Sequence, residues 1–220
     1  MTLRPLWCAV ALVGFTTFVT REVASQDKEA PRPSPSEKTT QPSTGSDLES
    51  LVDMIVRYAM PGEHHKLLGK MAGSWNLSVK YWMNSELPAV ESKGTCTRKW
   101  ILGNRFVLEE FDGGNLALPF QGMAIYGYDS FEQKYTSVWV DTMSTAITTN
   151  TGTCQEPCDV ITFVGRHGDP WSGTKKLSRG VTRFVSDNQH VLEFYEPGSD
   201  GKEFKVLEIV YTRKDGAASL

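Results

Sequence analysis

Carboxylates are the most plentiful reactive groups in this chain, with Glu109-Glu110, Asp129, Asp141, Glu193 and Glu208 all falling in strand-like segments. Two of them facing each other across a cavity would serve as acid and base, whereas on a solvated face they would only keep the protein soluble. The stretch "WVDTMST" (139–145) gathers most, with Asp141, Ser144 and Thr145 at a strand end beside Trp139. It reads as a polar anchor at a pocket mouth, and equally as Asp and Ser bonding the turn's own backbone. Among the histidines, His64 is in register with Leu67, Leu68 and Met71 on the apolar side of a short helix, and His65 points to solvent. His167 sits in a turn next to Asp169, and His190 near the start of a strand. No pair has zinc-ligand spacing, so no metal is expected. There is no nucleophile elbow, phosphate loop or dinucleotide fingerprint, and hence no recognisable catalytic motif.

The cysteines point to compartment rather than catalysis. Arg4, the apolar run Leu6 to Val19, and the small residues of Val23-Ala24-Ser25 make residues 1–25 an export signal. At roughly 1.5 Å per residue that run falls well short of the roughly 30 Å hydrocarbon core, so no membrane span is expected in the mature protein. An uncleaved anchor is the lesser alternative. The protein is therefore read as exported, periplasmic or secreted. Cys8 leaves with the signal, and Cys96, Cys154 and Cys158 remain for an oxidising compartment. Cys154 and Cys158, in "TCQEPC", are close enough to bridge across a turn or to stay as two thiols. Cys96 reads as a small buried strand residue.

Over 220 residues, 40% hydrophobic and 22% charged with a net charge of -3, the chain has the makeup of one soluble domain with extensions. It has no concentrated basic patch for nucleic acid. Residues 26–46, "QDKEAPRPSPSEKTTQPSTGS", hold four prolines, seven Ser or Thr and no Val, Ile, Leu or aromatic residue. Such a segment cannot offset its ordering entropy and is a flexible linker. The folded domain is expected over 47–215, with 216–220 a tail. Ser46 and Glu49 form a capping-box pattern ahead of a helix whose stripe is Leu48, Leu51, Val52, Ile55 and Tyr58. Pro61-Gly62 breaks it, and a second short helix, "EHHKLLGKMA", ends at Gly73. From Trp75 to Arg213 the chain reads as ten strands with breaks that include Leu102-Gly103-Asn104, Asp112-Gly113-Gly114 and Gly168-Asp169-Pro170. No helical stretch separates one strand from the next, so the sheet is an antiparallel meander, closed into a barrel or split into a sandwich.

Gly73-Ser74-Trp75, after a short helix and opening the first strand, resembles the Gly-x-Trp signature of lipocalins and related barrels. That resemblance implies that Trp75 plugs the closed end under a basic residue of the last strand. Arg213 in "VLEIVYTRK" has the matching parity, since Leu207, Ile209 and Tyr211 share its side as Leu77, Val79 and Tyr81 share that of Trp75. The blocks "EHHKLLGKMAGSWNLSVKYW", "LGNRFVLEEFDG", "PFQGMAIYGYDSFEQKYTSVWVDTMST" and "DGKEFKVLEIVYTRK" are similar, in order and spacing, to the domain-of-unknown-function 1579 family from about Pro61 to Lys214. The resemblance implies a mainly β fold, a closed up-and-down, lipocalin-like barrel of about ten strands after two short helices, and no established activity.

"AITTNTGT", "KKLSRGVTRFV" and "KGTCTRKWI" have no purely apolar face. An antiparallel barrel in water needs only one polar face, so polar groups on the second imply a wet or ligand-lined interior with its charges paired. Tyr135, Trp139 and Asp141 share one face of "YTSVWVD", Glu193 and Tyr195 one face of "VLEFY", and with Ser144 these are the expected ligand contacts. The expected function is non-covalent binding of a small amphipathic or apolar molecule. The alternatives are an enzyme using a carboxylate or histidine inside the barrel, and a structural module with a filled barrel. No cofactor is expected; a haem held by His190 is the lesser alternative.

Overall fold

The computed structural model describes residues 45–115, 119–169, 172–198 and 200–214. The expected signal, most of the linker and the 216–220 tail lie outside the described residues. Two helices, α1 (Gly45–Ala59) and α2 (Glu63–Gly69), precede ten strands. These are β1 (Gly73–Tyr81), β2 (Val90–Ile101), β3 (Phe106–Asn115), β4 (Pro119–Asp129) and β5 (Lys134–Asp141). They continue with β6 (Thr148–Cys154), β7 (Val160–Asp169), β8 (Thr174–Ser186), β9 (Gln189–Pro197) and β10 (Glu203–Arg213). Each strand pairs antiparallel with its sequence neighbours, and β1 with β10, so the sheet is a closed barrel without an exposed edge.

Two expected breaks are strand. β3 runs through Gly113 and Gly114 to Asn115, with a register shift between Asp112 and Asn115 absorbing the glycines, and β7 runs to Asp169. A bulge keeps ladder bonds on either side of the irregular residues, which turn chemistry read one residue at a time does not reveal.

α1 begins at Gly45, one residue before the expected cap, and does not pack as its stripe suggests: Leu48, Leu51, Val52, Ile55 and Tyr58 are all about half exposed or more. Its contacts with the barrel are at its end, where Tyr58 meets Phe131 edge-on at 5.9 Å and Arg105 reaches Met60. The cover of the barrel is α2 instead, whose Leu67 and Leu68, with Met71 just beyond, pack on Val107, Tyr135, Ile161 and Phe163. The two adjacent histidines exchange their expected roles. His65 is buried and accepts a hydrogen bond at Nδ1 from the Gly62 backbone N–H (3.0 Å), so it caps the helix. His64 is exposed at its edge yet stacks on Tyr128 at 4.2 Å and meets the Tyr135 hydroxyl at 3.2 Å. In a helix this short the cap decides which face turns inward.

The α2 end of the barrel is closed by Trp75, which is fully buried and pairs in register with Arg213 on one side and Cys96 on the other. Its indole N–H donates to the Met71 carbonyl (2.9 Å), and the Arg213 guanidinium lies 4.2 Å from the ring centre. Arg213 also donates to the carbonyls of Ala72 and Asp187, both at 2.9 Å, tying the end of the helical cover to the β8–β9 turn. Gly73 makes this possible: its φ is +126°, and a Cβ there would sit 2.2 Å from Arg213 Nη1. Glycine is thus required two residues before the tryptophan by the space the guanidinium occupies.

Trp75→Ala is expected to cost about 3–5 kcal/mol, the range for deleting a buried aromatic ring. Urea unfolding would measure it, and a loss below about 1 kcal/mol would contradict the plug role.

Candidate functional site

Alternation along each strand sorts the inward side chains into two levels. At mid-height, toward the α2 end, lies a sealed polar cluster. Arg98 on β2 and Glu109 on β3 are directly paired and form an ion pair with Nη2 at 3.1 and 3.2 Å from the two carboxylate oxygens. Both side chains are 1% exposed. The Tyr126 hydroxyl donates to the same carboxylate at 2.8 Å. Arg98 Nη1 donates to His190 Nε2 at 2.6 Å, and the Arg98 guanidinium also lies over the Tyr211 ring at 4.4 Å. His190 in turn stacks on Tyr211 (4.2 Å) and meets Trp75 edge-on (4.4 Å).

The electrostatics of this cluster follow from burial. Burial is the largest effect and works against the charge of Arg98, but Glu109 together with Tyr211, Cys96 and Tyr126 outweighs it and holds the guanidinium charged beyond its ordinary range. Burial, followed by the Arg98 and Arg213 charges, pushes His190 down to about 2, so the imidazole is neutral. Burial and then Glu109 raise both Tyr126 and Tyr211 well above the ordinary phenol value, leaving them as protonated donors. Burial likewise raises the Cys96 thiol, which is no nucleophile. The His190 Nδ1 and Arg98 Nε atoms are buried without a hydrogen-bond partner.

Above this level the interior changes character. Leu192, Phe194, Leu207 and Trp139 point inward yet remain partly exposed, so water reaches the barrel's inside from the end opposite α2. This cup has two walls. One is aromatic: Trp139 packs edge-on to Phe111 (5.7 Å) and stacks near Phe120 (6.3 Å), with Gly122 leaving the space its ring needs. A Cβ at Gly122 would meet Trp139 at 2.4 Å. The other wall ends in a charged rim. His167 Nε2 lies 3.2 Å from a Glu196 oxygen, and Lys176 lies 2.9 Å from Asp169 and 4.0 Å from Glu196. The hydrogen bond to Glu196 raises the His167 pKa above its ordinary value against the opposing effect of burial. Just below the rim, Asn150 donates to Ser137 at 3.1 Å.

The expected contacts fall in four places. Trp139 and Asp141 are in the cup, and Asp141 fills both roles that the sequence offered: one oxygen accepts the Trp139 indole N–H (2.7 Å) and the other the Met143 backbone N–H (2.8 Å). Ser144 is an exposed turn residue that accepts from the Ala146 N–H (2.9 Å). Tyr135, 1% exposed, belongs to the sealed end; burial is the main cause that pushes its hydroxyl up to about 12, and it borders Cys158 Sγ at 3.8 Å. Glu193 and Tyr195 are corrected to the outer wall, because His190, Leu192 and Phe194 take the inward parity of β9. There Glu193 pairs with Lys205 and Arg183, and Tyr195 lies 4.3 Å under the Arg179 guanidinium. Cys154 and Cys158 are joined in a disulfide. Outside the cup, shallow grooves of about 300 and 260 Å³ run along β2 and β3, lined by Lys93, Thr95, Asp112 and Glu110 and open to solvent.

The residues that sequence reasoning missed are Arg98, Tyr126, Tyr211 and the rim set of His167, Asp169, Lys176 and Glu196. The signal for Arg98 was available: it shares the parity of Cys96 and Trp100, in a segment without a clean apolar face. His167 was read as a turn residue because Gly168-Asp169-Pro170 was read as a break. Among the described residues no group of three or more His, Cys, Asp or Glu side chains is placed to hold a metal. No described helix is long and apolar enough to cross a membrane.

Because His190 is neutral when folded and regains its ordinary value when unfolded, the unfolded chain takes up the extra proton below about pH 6.5. Stability is then lost as pH falls, at up to about 1.4 kcal/mol per pH unit over the window between 6.5 and about 2. Urea unfolding between pH 7 and pH 4.5 is expected to show this slope, reduced in His190→Gln by about one proton's worth; an equal slope in both proteins would contradict it.

No curated protein is significantly similar to the chain. Among solved structures it is similar to Rv2717c from M. tuberculosis, at 12% identity and a TM-score of 0.48, covering 70% of this chain and 99% of that one. A protein-family model described as "Protein of unknown function (DUF1579)" matches residues 60–213, from the end of α1 through Arg213. That span takes in the helical cover, Gly73 and Trp75, all ten strands and both levels of the interior, and the chain belongs to the DUF1579 family.

Proposed function

We propose that this chain is an exported binding barrel that holds one small amphipathic molecule, non-covalently, in the cup opposite α2. One observation carries the reading: inward-pointing Leu192, Phe194, Leu207 and Trp139 stay partly exposed in the half opposite α2, whereas Trp75, Val107, Tyr135, Ile161 and Tyr211 fill the α2 half and are sealed. Apolar side chains left wet inside a rigid barrel favour an apolar occupant, and each side chain removed from water contributes in proportion to its area. The rim supplies the few polar groups that orient such a ligand. Trp139, braced by Asp141 and Phe111, presents a ring whose position is fixed before anything binds, which lowers the entropic cost of binding.

Binding is favoured over catalysis by the state of the deepest interior carboxylate, Glu109. A catalytic acid or base in a cavity would be unpaired, with a perturbed pKa and a route to substrate. Glu109 is instead bound by Arg98 and Tyr126 and sealed from solvent. Export is supported by the Cys154–Cys158 disulfide together with the signal-like N-terminal segment.

Native mass spectrometry of protein purified without detergent, followed by denaturing extraction, is expected to release a small molecule at up to one per chain. In parallel, the neutral dye N-phenyl-1-naphthylamine should bind with an enhanced emission. Thr148→Phe, which adds a ring beside Trp139 across the β5–β6 pair, should weaken that binding at least about tenfold while preserving the far-ultraviolet circular dichroism. Undiminished dye binding in Thr148→Phe would place the site elsewhere.

A further inference from the structure

The rim of the cup is unevenly charged. Asp169 and Glu196 are two inward-facing carboxylates, and Lys176 is the permanent cation between them. Asp169 also accepts from the Ser172 hydroxyl at 2.7 Å. The second balancing charge is His167, which is positive only while protonated. Asp141 adds a further carboxylate across the mouth, held by Trp139 and the Met143 N–H. The groups facing His167 are Glu196 from β9, Lys176 from β8 and Asp169 from its own strand, with Tyr81 from β1 coupled to the same three, while β6 offers Thr148 and Asn150 at its near end. When the imidazole gives up its proton, Glu196 is left with Lys176, at 4.0 Å, as its cation among the described residues. Tyr81 senses the same field: after burial, Glu196 is the next cause that raises its hydroxyl, ahead of the opposing Lys176.

We infer that the cup selects amphiphiles with a cationic, N–H-donating head, a protonated amine seated at Glu196 beside Tyr81 with its chain along Phe194, Leu207 and Leu192. This inference rests on the cup being a binding site. The ammonium takes the place of the His167 imidazolium at Glu196; His167 releases one proton to solvent and stays neutral, so the charge of the rim is conserved. A carboxylate head would instead face Glu196 and Asp169, with the one lysine already engaged by both. The proton release makes binding of the amine strengthen as pH rises through the His167 titration, and a neutral head of the same chain length carries no such dependence.

The test is displacement of N-phenyl-1-naphthylamine from the full chain by dodecylamine, dodecan-1-ol and dodecanoate, each below its micelle concentration, at pH 6 and pH 8. Dodecylamine is expected to bind about tenfold more tightly than dodecan-1-ol at pH 8, with dodecanoate weakest, and to lose much of that advantage at pH 6. Glu196→Gln should abolish the advantage of dodecylamine over dodecan-1-ol, both measured in that variant. Should that variant fail to fold, His167→Ala decides, since an amine advantage that still varies with pH in His167→Ala overturns the exchange. Equal binding of all three, or tightest binding of dodecanoate, overturns the head-group assignment and leaves the cup standing. Displacement by none of them overturns the cup reading and this inference with it.

Discussion

Everything above α2 depends on the contact between Arg213 and Trp75. The two residues are paired across the seam where the last strand meets the first, so the contact is also the closure of the barrel. A guanidinium over an indole is worth about 0.5–2 kcal/mol, modest beside the roughly 3–5 kcal/mol at stake in the buried ring itself. Its effect is positional. Arg213 binds carbonyls from the end of the helical cover and from the β8–β9 turn, so one side chain fixes strand register and the seat of the cover together.

Directly above that plug, the Arg98–Glu109 pair divides the barrel into two compartments. Removing two charges from water costs several kcal/mol for each ion, and a buried pair of this kind often contributes little net stability. The geometry here recovers much of the loss, with two bonds between the ions, a phenol on the carboxylate, an imidazole on the guanidinium and an aromatic ring beneath it, though Arg98 Nε is left without a partner. The consequence is specificity: with these partners in place the cluster admits one arrangement of β2, β3, β4, β9 and β10. Because this level is solid, the open half of the barrel is a blind cup rather than a channel, and whatever enters must leave by the same rim.

The rim itself combines two chemistries that the fold keeps apart. Strands β3 to β5 bring the aromatic wall, in which Asp141 holds the Trp139 indole. Strands β7 to β9 bring the ion pairs, in which His167 is the member able to change charge near neutral pH. Under the proposed binding role, an amphipathic guest would meet a surface of each kind.

Alternation and turn chemistry in the chain itself were enough to establish a ten-strand antiparallel meander, because a side chain's face in a strand depends only on the parity of its position. The resemblance of Gly73-Ser74-Trp75 to the Gly-x-Trp signature pointed to Trp75 and Arg213, and parity agreed; that only glycine leaves room at position 73 was decided by the structure. Parity fails to say which of two mixed faces points inward. On β9 both alternatives carry aromatic and acidic groups, so Glu193 and Tyr195 were as eligible as Phe194 and Glu196 until His190 was seen stacked on Tyr211. Strand continuity through Gly113-Gly114 and to Asp169 was equally hidden, because a bulge preserves the ladder where local residues suggest a turn. The inward face of β9, the unpartnered stripe of α1, the pairing of Arg98 with Glu109 and the assembly of the rim were decided only by tertiary structure, for each depends on which distant strands closure brings within hydrogen-bond reach.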